Sequence, residues 1–224
     1  KIGRGAVGAL SGMGYAAMLL VESLYLAVCG WRLGQPLRLR AVFEQMRQVG
    51  VDALPIVCLL AFTVGIMLGI QFISALGEFG AQSQVVVAVA KSVTREFGAL
   101  ITAILVAGRS GSALAARIGS MTVSQEVDAL AVIGINPVRY LVAPALLAML
   151  VMLQSMSLLD PGDIGQGLAK SAVFALLITL IGVSTGFSVS GGAEGVGRAT
   201  TRAVVLSICW IIVADMIFSF FLNR

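Results

Sequence analysis

Among the ionisable side chains that fall inside apolar stretches of this sequence, five stand out beyond Glu22 in the stretch 7–31. Lys91, Arg95 and Glu96 sit in "AVAKSVTREFGALITAILVAG", Lys170 heads "KSAVFALLITLIGVSTGF", and Asp215 lies in "AVVLSICWIIVADMIFSFFL". A charge near the centre of a bilayer costs about 2.5–3.5 kcal/mol on insertion scales, so such residues face a bundle interior or a wet cavity. Lys91 and Arg95 are four apart and share a helix face. Glu96 is about 100° round from Arg95 on an α-helix and five residues from Lys91, so it is poorly placed to pair with either. Its partner is expected on another helix or on a bound headgroup. Asp215 has no local partner. Two chemistries fit this pattern: structural ion pairs between helices, or the polar wall of a cavity that meets a substrate.

Other chemistries are disfavoured by what the sequence lacks. There is no histidine, which removes Ser–His catalysis, histidine-ligated metal or haem, and a histidine proton relay. No GxxxxGK[ST] occurs, so the chain has no P-loop for ATP. Gly108-Arg-Ser-Gly-Ser112 is not a nucleophile elbow, and no histidine could serve it. Cys29, Cys58 and Cys209 are odd in number, lack CxxC spacing and are expected to be buried small hydrophobes. The chain is therefore not expected to be an enzyme.

The elements that carry the charges are membrane helices. Of 224 residues, 58% are hydrophobic and 12% charged, and the mean hydropathy is +1.00. Soluble domains carry about 25% charge, so this is an integral membrane protein with no room for a large soluble domain. The net charge of +4 reports topology and implies no nucleic acid. No signal peptide is expected, since no small-residue cleavage site follows a short apolar core.

Residues 1–50 read as an N-terminal interfacial and juxtamembrane region: an apolar helix over 7–31, then a basic stretch over 32–50. Residues 51–224 read as the transmembrane domain. Its first span is 51–76, with Gly65 and Gly69 spaced for close approach of another helix. A polar turn covers 77–84, and the second span runs from about 85 to 107. A polar, Gly/Ser-rich helical stretch follows from Gly108 to Asn136. Pro137 suits entry to a third span near Arg139. That span breaks after about fourteen residues, too few to cross a bilayer. A fourth is expected at 171–190 and a fifth at 203–222 after a polar loop. With the N-terminus, 108–139 and 191–202 on one side, eleven of fifteen basic residues share it. The positive-inside bias makes that side cytoplasmic and puts the C-terminus outside. A full span over 7–31 would separate Lys1 and Arg4 from the Arg32–Arg47 cluster, which favours the interfacial placement.

The segment "SMTVSQEVDALAVIGINPVRY" predicts a short amphipathic helix between spans on the cytoplasmic face. Thr122 or Ser124 would cap it, Glu126 and Asp128 suit its first turns, Val127, Leu130 and Ala131 form an apolar edge, and Gly134 stops it. Glu126-x-x-Ala129 with a glycine five residues on is similar to the cytoplasmic loop by which ABC importer membrane subunits grip their ATPases.

The run "REFGALITAILVAGRSGSALAARIGSMTVSQEVDALAVIGINPVRYLVAP" closely resembles the MlaE family, the membrane subunits of ABC systems that move phospholipid between Gram-negative membranes. "VGIMLGIQ" in the first span, "GLAKSAVFALLI" in the fourth and "GVGRATTRAVV" before the fifth extend the likeness from about residue 45 to the C-terminus. The resemblance implies an all-α fold of one interfacial helix plus five spans, assembled as a homodimer in the inner membrane. A cytoplasmic ABC ATPase, which would bind the ATP and Mg, would dock around Glu126, Val127, Asp128, Ala129 and Leu130. A hexameric ring of periplasmic MCE-domain protein and a small STAS-type subunit would complete the assembly. The chain itself would hold no cofactor and no metal. Phospholipid would sit in a cavity at the dimer interface, lined by Leu68, Gln71, Ala75, Leu76 and Phe79, with Arg95, Glu96 and Lys170 as its polar residues.

The sequence departs from the family in one place. Family members carry roughly thirty more residues between the third and fourth spans, whereas "LLAMLVMLQSMSLLDPGDIG" passes directly, so a segment is missing near 148–158, by deletion or by omission. A channel or secondary transporter independent of any ATPase is the alternative that intramembrane charges also suit, though no internal repeat of the spans is evident.

Overall fold

The computed structural model describes residues 39–80, 82–157 and 164–222, together with Gly14 and Met18. Of the helix expected over 7–31, only Gly14 and Met18 are described, both helical and exposed; the rest of it, with Cys29, lies outside the described residues. Among the described residues every regular element is helical.

Helix α1 (Leu39–Val49) buries Val42, Gln45 and Val49 at i, i+3 and i+7 and leaves Arg40, Phe43, Glu44 and Arg47 exposed. After a short 3-10 turn with Pro55 in the following first turn, α2 (Leu54–Gly77) is the first span. The second helix runs without a break from Val85 to Val123 as α3 (Val85–Ser92), α4 (Gly98–Val106) and α5 (Ser112–Val123), joined by π-helical turns at Val93–Phe97 and Ala107–Gly111. At 1.5 Å per residue it is about 58 Å long, nearly twice the hydrocarbon thickness. The second span therefore does not end at residue 107. The apolar stretch long enough to cross extends over Gly98–Val123, and Leu114, Ala115, Ile118 and Gly119, expected in a polar cytoplasmic stretch, are buried. The sequence pattern misleads because small residues score as weakly polar while permitting the closest helix contacts.

Helix α6 (Glu126–Val132) is the short helix expected between spans. Its cap differs from expectation. Thr122 and Ser124 donate their hydroxyls back to the Ile118 and Ser120 carbonyls at 2.8 and 2.9 Å, and Gln125, at φ 61°, makes the turn into the helix. Gly134 ends α6 at φ 81°. Its N–H bonds Ala131 O, and that of Ile135 bonds Leu130 O, at 3.0 and 2.9 Å, a Schellman stop.

The third span also departs from expectation. Asn136 Oδ1 accepts the N–H groups of Val138 and Arg139, a π turn covers Val138–Val142, and α7 (Ala143–Ser157) continues it. The helix does not break at Gln154, and its twenty residues reach about 30 Å. Helix α8 (Ile164–Phe187) and α9 (Gly192–Leu222) complete the bundle. The loop expected over 191–202 is helical from Gly192, because the connection is only Ser188–Gly191 and ends at Gly191 and Gly192, both at positive φ.

Four described helices are long and apolar enough to cross a membrane, and Val138–Leu153 adds a shorter apolar helix. The chain is a multi-pass integral membrane protein. Its core lies where α4, α7, α8 and α9 meet, around Ala103, Val106, Met149, Phe174, Ile178 and Ile211. A second core, at the other end, holds Leu114, Ile118, Leu141, Val142 and Val183. Cys58 and Cys209 are free and exposed, not buried; both sit on outer surfaces of spans, where apolar neighbours in the sequence signify lipid and not protein.

Candidate functional site

The intramembrane charges converge. Lys170, in the second turn of α8, is 4% exposed. Its Nζ donates to Asp215 Oδ1 of α9 at 3.0 Å and to Glu96 Oε2 at 3.4 Å. Glu96 Oε1 in turn accepts the hydroxyl of Ser219. Glu96 belongs to the π turn Val93–Phe97. Three helices thus supply one ammonium, two carboxylates and a hydroxyl. Two carboxylates against one ammonium leave the described cluster with an excess acceptor.

Burial is uneven. The side chains of Lys170 and Asp215 are 5% and 9% exposed, while that of Glu96 is 36% exposed. The Lys170–Asp215 pair is packed inside the protomer, and Glu96 forms its open edge. Glu96 lies about eleven residues from the start of α3, Lys170 six from that of α8 and Asp215 seven from the end of α9, so the cluster occupies the half of the bundle near the 78–84 turn.

Of the residues expected to bind at this level, Glu96 and Lys170 are brought together. Arg95 lies on the same π turn, and its side chain, like that of Lys91, is outside the described residues. The first-span residues form a separate surface. Leu68 is buried within the protomer, Leu76 is half-buried, and Gln71, Ala75 and Phe79 are exposed, Phe79 by 83%. Sequence reasoning misses Asp215 and Ser219 as site residues. Their i, i+4 spacing on one face of the last helix is the signal that could have found them.

At the other end of the bundle, α6 presents Glu126, Asp128 and Ala129 to solvent, and Ser124 donates to Glu126 Oε1 at 3.0 Å. Val127 instead packs against the second core and Leu130 is half-buried. The helix is anchored by one edge and offers the other. Val132 and Ile133, 86% and 68% exposed at its end, add an apolar tip.

Several known proteins are similar to this chain in sequence. The family model described as "Permease MlaE" matches residues 42–159 and 153–221, in two pieces that overlap around the end of α7. A "Probable ABC transporter permease protein" of Rickettsia felis is 32% identical over 212 residues, covering 80% of this chain and 82% of the relative. The "Intermembrane phospholipid transport system permease protein MlaE" of Haemophilus influenzae is 30% identical over 207 residues, 78% and 79% of the two chains. "Protein TRIGALACTOSYLDIACYLGLYCEROL 1, chloroplastic" of Arabidopsis thaliana is 34% identical over 215 residues, covering 81% of this chain and 61% of that protein.

Proposed function

This chain belongs to the MlaE permease family and is an ABC permease, and from that premise we propose that it moves glycerophospholipid between the inner and outer membranes of a Gram-negative cell. The H. influenzae relative, by name a permease of intermembrane phospholipid transport, supports that substrate class. One observation of the molecule carries the proposal: the Glu96–Lys170–Asp215–Ser219 cluster opens through Glu96, while the first span beside it leaves Gln71, Ala75 and Phe79 uncovered.

In this mechanism two copies pair so that their first spans enclose a cavity. The apolar wall, Leu68, Ala75, Leu76 and Phe79 with Gln71, receives acyl chains. Glu96 and Arg95 meet the headgroup, Glu96 suiting an ammonium and Arg95 a phosphate, while the buried Lys170 braces Glu96 from behind. Asp215 holds Lys170 in place. ATP and its Mg are bound by a partner ATPase that docks on α6 through Glu126, Asp128 and Ala129, with Val127 and Leu130 tying α6 to the bundle. Closure of the ATPase pair pushes α6, and the two permeases shift and open the cavity toward a ring of MCE-domain protein. A STAS-type subunit accompanies the ATPase.

The fold proposed is one interfacial helix plus five spans, N-terminus cytoplasmic and C-terminus periplasmic, in the inner membrane. The junction near 148–158 is where family members carry additional residues. The two-piece family match supports this, as does an alignment of 212 positions against 80% of 224 residues. The test is mass spectrometry of the complex extracted gently from its native membrane, recording proteins and lipids together. An ATPase, an MCE-domain protein and retained phospholipid are expected; a chain that emerges alone and lipid-free overturns the proposal.

A further inference from the structure

Arg109 and Arg117 lie far from the charged cluster. They follow Glu96 by thirteen and twenty-one residues on the same continuous helix, about 20 and 30 Å along it. Beside them two cavities of about 260 and 350 Å³ adjoin, sharing Gln45, Gln48 and Arg117. The shared residues make one trough between α1 and α5, with Arg109 lining one end and Glu44 the other.

Among the described residues the arginines make few and long hydrogen bonds, and Arg117 also feels the charge of Glu44. A guanidinium carries five N–H donors. Arg109 donates to the Gln48 carbonyl at 3.3 Å and stands 3.9 Å from the Asp52 carboxylate, with its side chain 40% exposed. Arg117 donates to Gln45 Oε1 at 3.4 Å. All three contacts are long for charge-assisted hydrogen bonds, which run about 2.7–2.9 Å. Gln45 is 9% exposed, so its amide is a fixed, buried polar group in the wall of the trough. Among the described residues, two forked cations with donors to spare, a fixed amide and a carboxylate at each end, Asp52 by Arg109 and Glu44 by Arg117, match a phosphate that carries a further polar group. Apolar residues lie close by: Val49 and Leu141 line the trough, themselves 2% and 3% exposed, and Val51, just after α1, is 58% exposed.

We infer that this trough is a second phospholipid site, in which Arg109 and Arg117 bind the phosphodiester of a bilayer lipid at the α6 end of the bundle. It is separate from the central cavity and does not depend on that cavity holding lipid. It suits a lipid waiting to enter or leave the transporter from the leaflet on the α6 side. Inorganic phosphate shares the chemistry but not the acyl chains, and the test separates the two.

The experiment reconstitutes the chain with its partner subunits in phosphatidylcholine nanodiscs doped with phosphatidylethanolamine carrying a photoreactive group near its phosphate, and maps the labelled peptides. Labelling is expected within 41–52 and 109–121. It should fall about tenfold or more in R109Q/R117Q, the equivalent of one lost charge-assisted hydrogen bond, and by much less in R109K/R117K. Gln48→Trp, which fills the trough and removes no charge, should cause a similar loss and covers the case where the double variant does not fold. Unlabelled phosphatidylethanolamine or phosphatidylglycerol should compete, and millimolar inorganic phosphate should not. Absence of label from these peptides, label unchanged in both R109Q/R117Q and Gln48→Trp, or competition by inorganic phosphate equal to that by lipid overturns the inference. Labels near Glu96 report the central cavity independently: their loss with the trough labels intact counts against the proposed function alone.

Discussion

Helices α2 and α8 are each 24 residues long and strongly apolar, yet their surroundings are opposite. In the most apolar window of the helix containing α2, 11% of residues are buried; in that of α8, 61% are. Their glycines account for much of the difference. In α8, a Cβ on Gly186 would stand 2.8 Å from Ile118 Cβ, and one on Gly119 of α5 would stand 2.8 Å from Val189 Cγ2. These positions let α5 and α8 touch almost backbone to backbone, where dispersion and close packing replace the missing hydrophobic drive between helices in lipid. In α2, Gly65 and Gly69 face open space, and Ile66, Met67, Ile70 and Ile73 are exposed. Helix α8 is a finished interface, and α2 turns most of its apolar surface outward from the protomer. Both are apolar enough to span a membrane, so hydropathy alone does not assign their surroundings.

The comparison can be broken first at Lys170, the charge that ties α8 to its neighbours. Lys170→Met leaves Asp215 buried without its cation, and removing one member of a buried pair costs about 3–5 kcal/mol. Denaturant unfolding in detergent should show that loss, and a double change with Asp215→Leu should recover part of it. A Lys170→Met protein as stable as the parent would mean that the pair does not hold α8 in place.

Packing gives the next largest effect. Gly186→Val should cost about 1–3 kcal/mol through overpacking against Ile118, read as a lower melting temperature. The matching change in the first span, Gly69→Val, should leave protomer stability nearly unaltered and weaken self-association instead, measured by crosslinking in membranes. Equal destabilisation by both would erase the distinction between the two helices.

Surface changes should matter least for the fold and most for function. Phe79→Asp, at a residue 83% exposed, should reduce co-purifying phospholipid while assembly persists; unchanged lipid occupancy counts against the α2 surface as cavity wall. Asp128→Lys should alter stability by less than about 0.5 kcal/mol, as exposed substitutions generally do, yet uncouple the ATPase. Normal ATPase co-purification and turnover in that variant would remove α6 from the docking role.

Much of the helical order is legible in the sequence. The first span, the short helix at 126–132, its stop at Gly134 and the cross-helix partner expected for Glu96 all follow from hydropathy, spacing and the cost of a buried charge. Helix ends are less legible. Residues 108–123 read as polar because glycine, serine and alanine carry little hydropathy, and the third span reads as stopping at Gln154 because one amide and two serines interrupt the pattern. Asp215 and Ser219 share a helix face, yet the sequence does not assign them to the site, because their partners come from helices 45 and 123 residues away along the chain.

From the sequence alone follow the membrane class, the absence of a P-loop or histidine chemistry, and the necessity that Glu96, Lys170 and Asp215 face inward, since bare charges in hydrocarbon cost several kcal/mol together. Which of them meet was decided only in three dimensions. Pairing depends on the relative rotation and height of three helices, and these are set by close approach at Gly119, Gly182 and Gly186 and by π turns that shift the register of the second helix. The same packing decided which apolar helix is core and which is left open, because burial is a property of what stands opposite a residue and not of the residue itself.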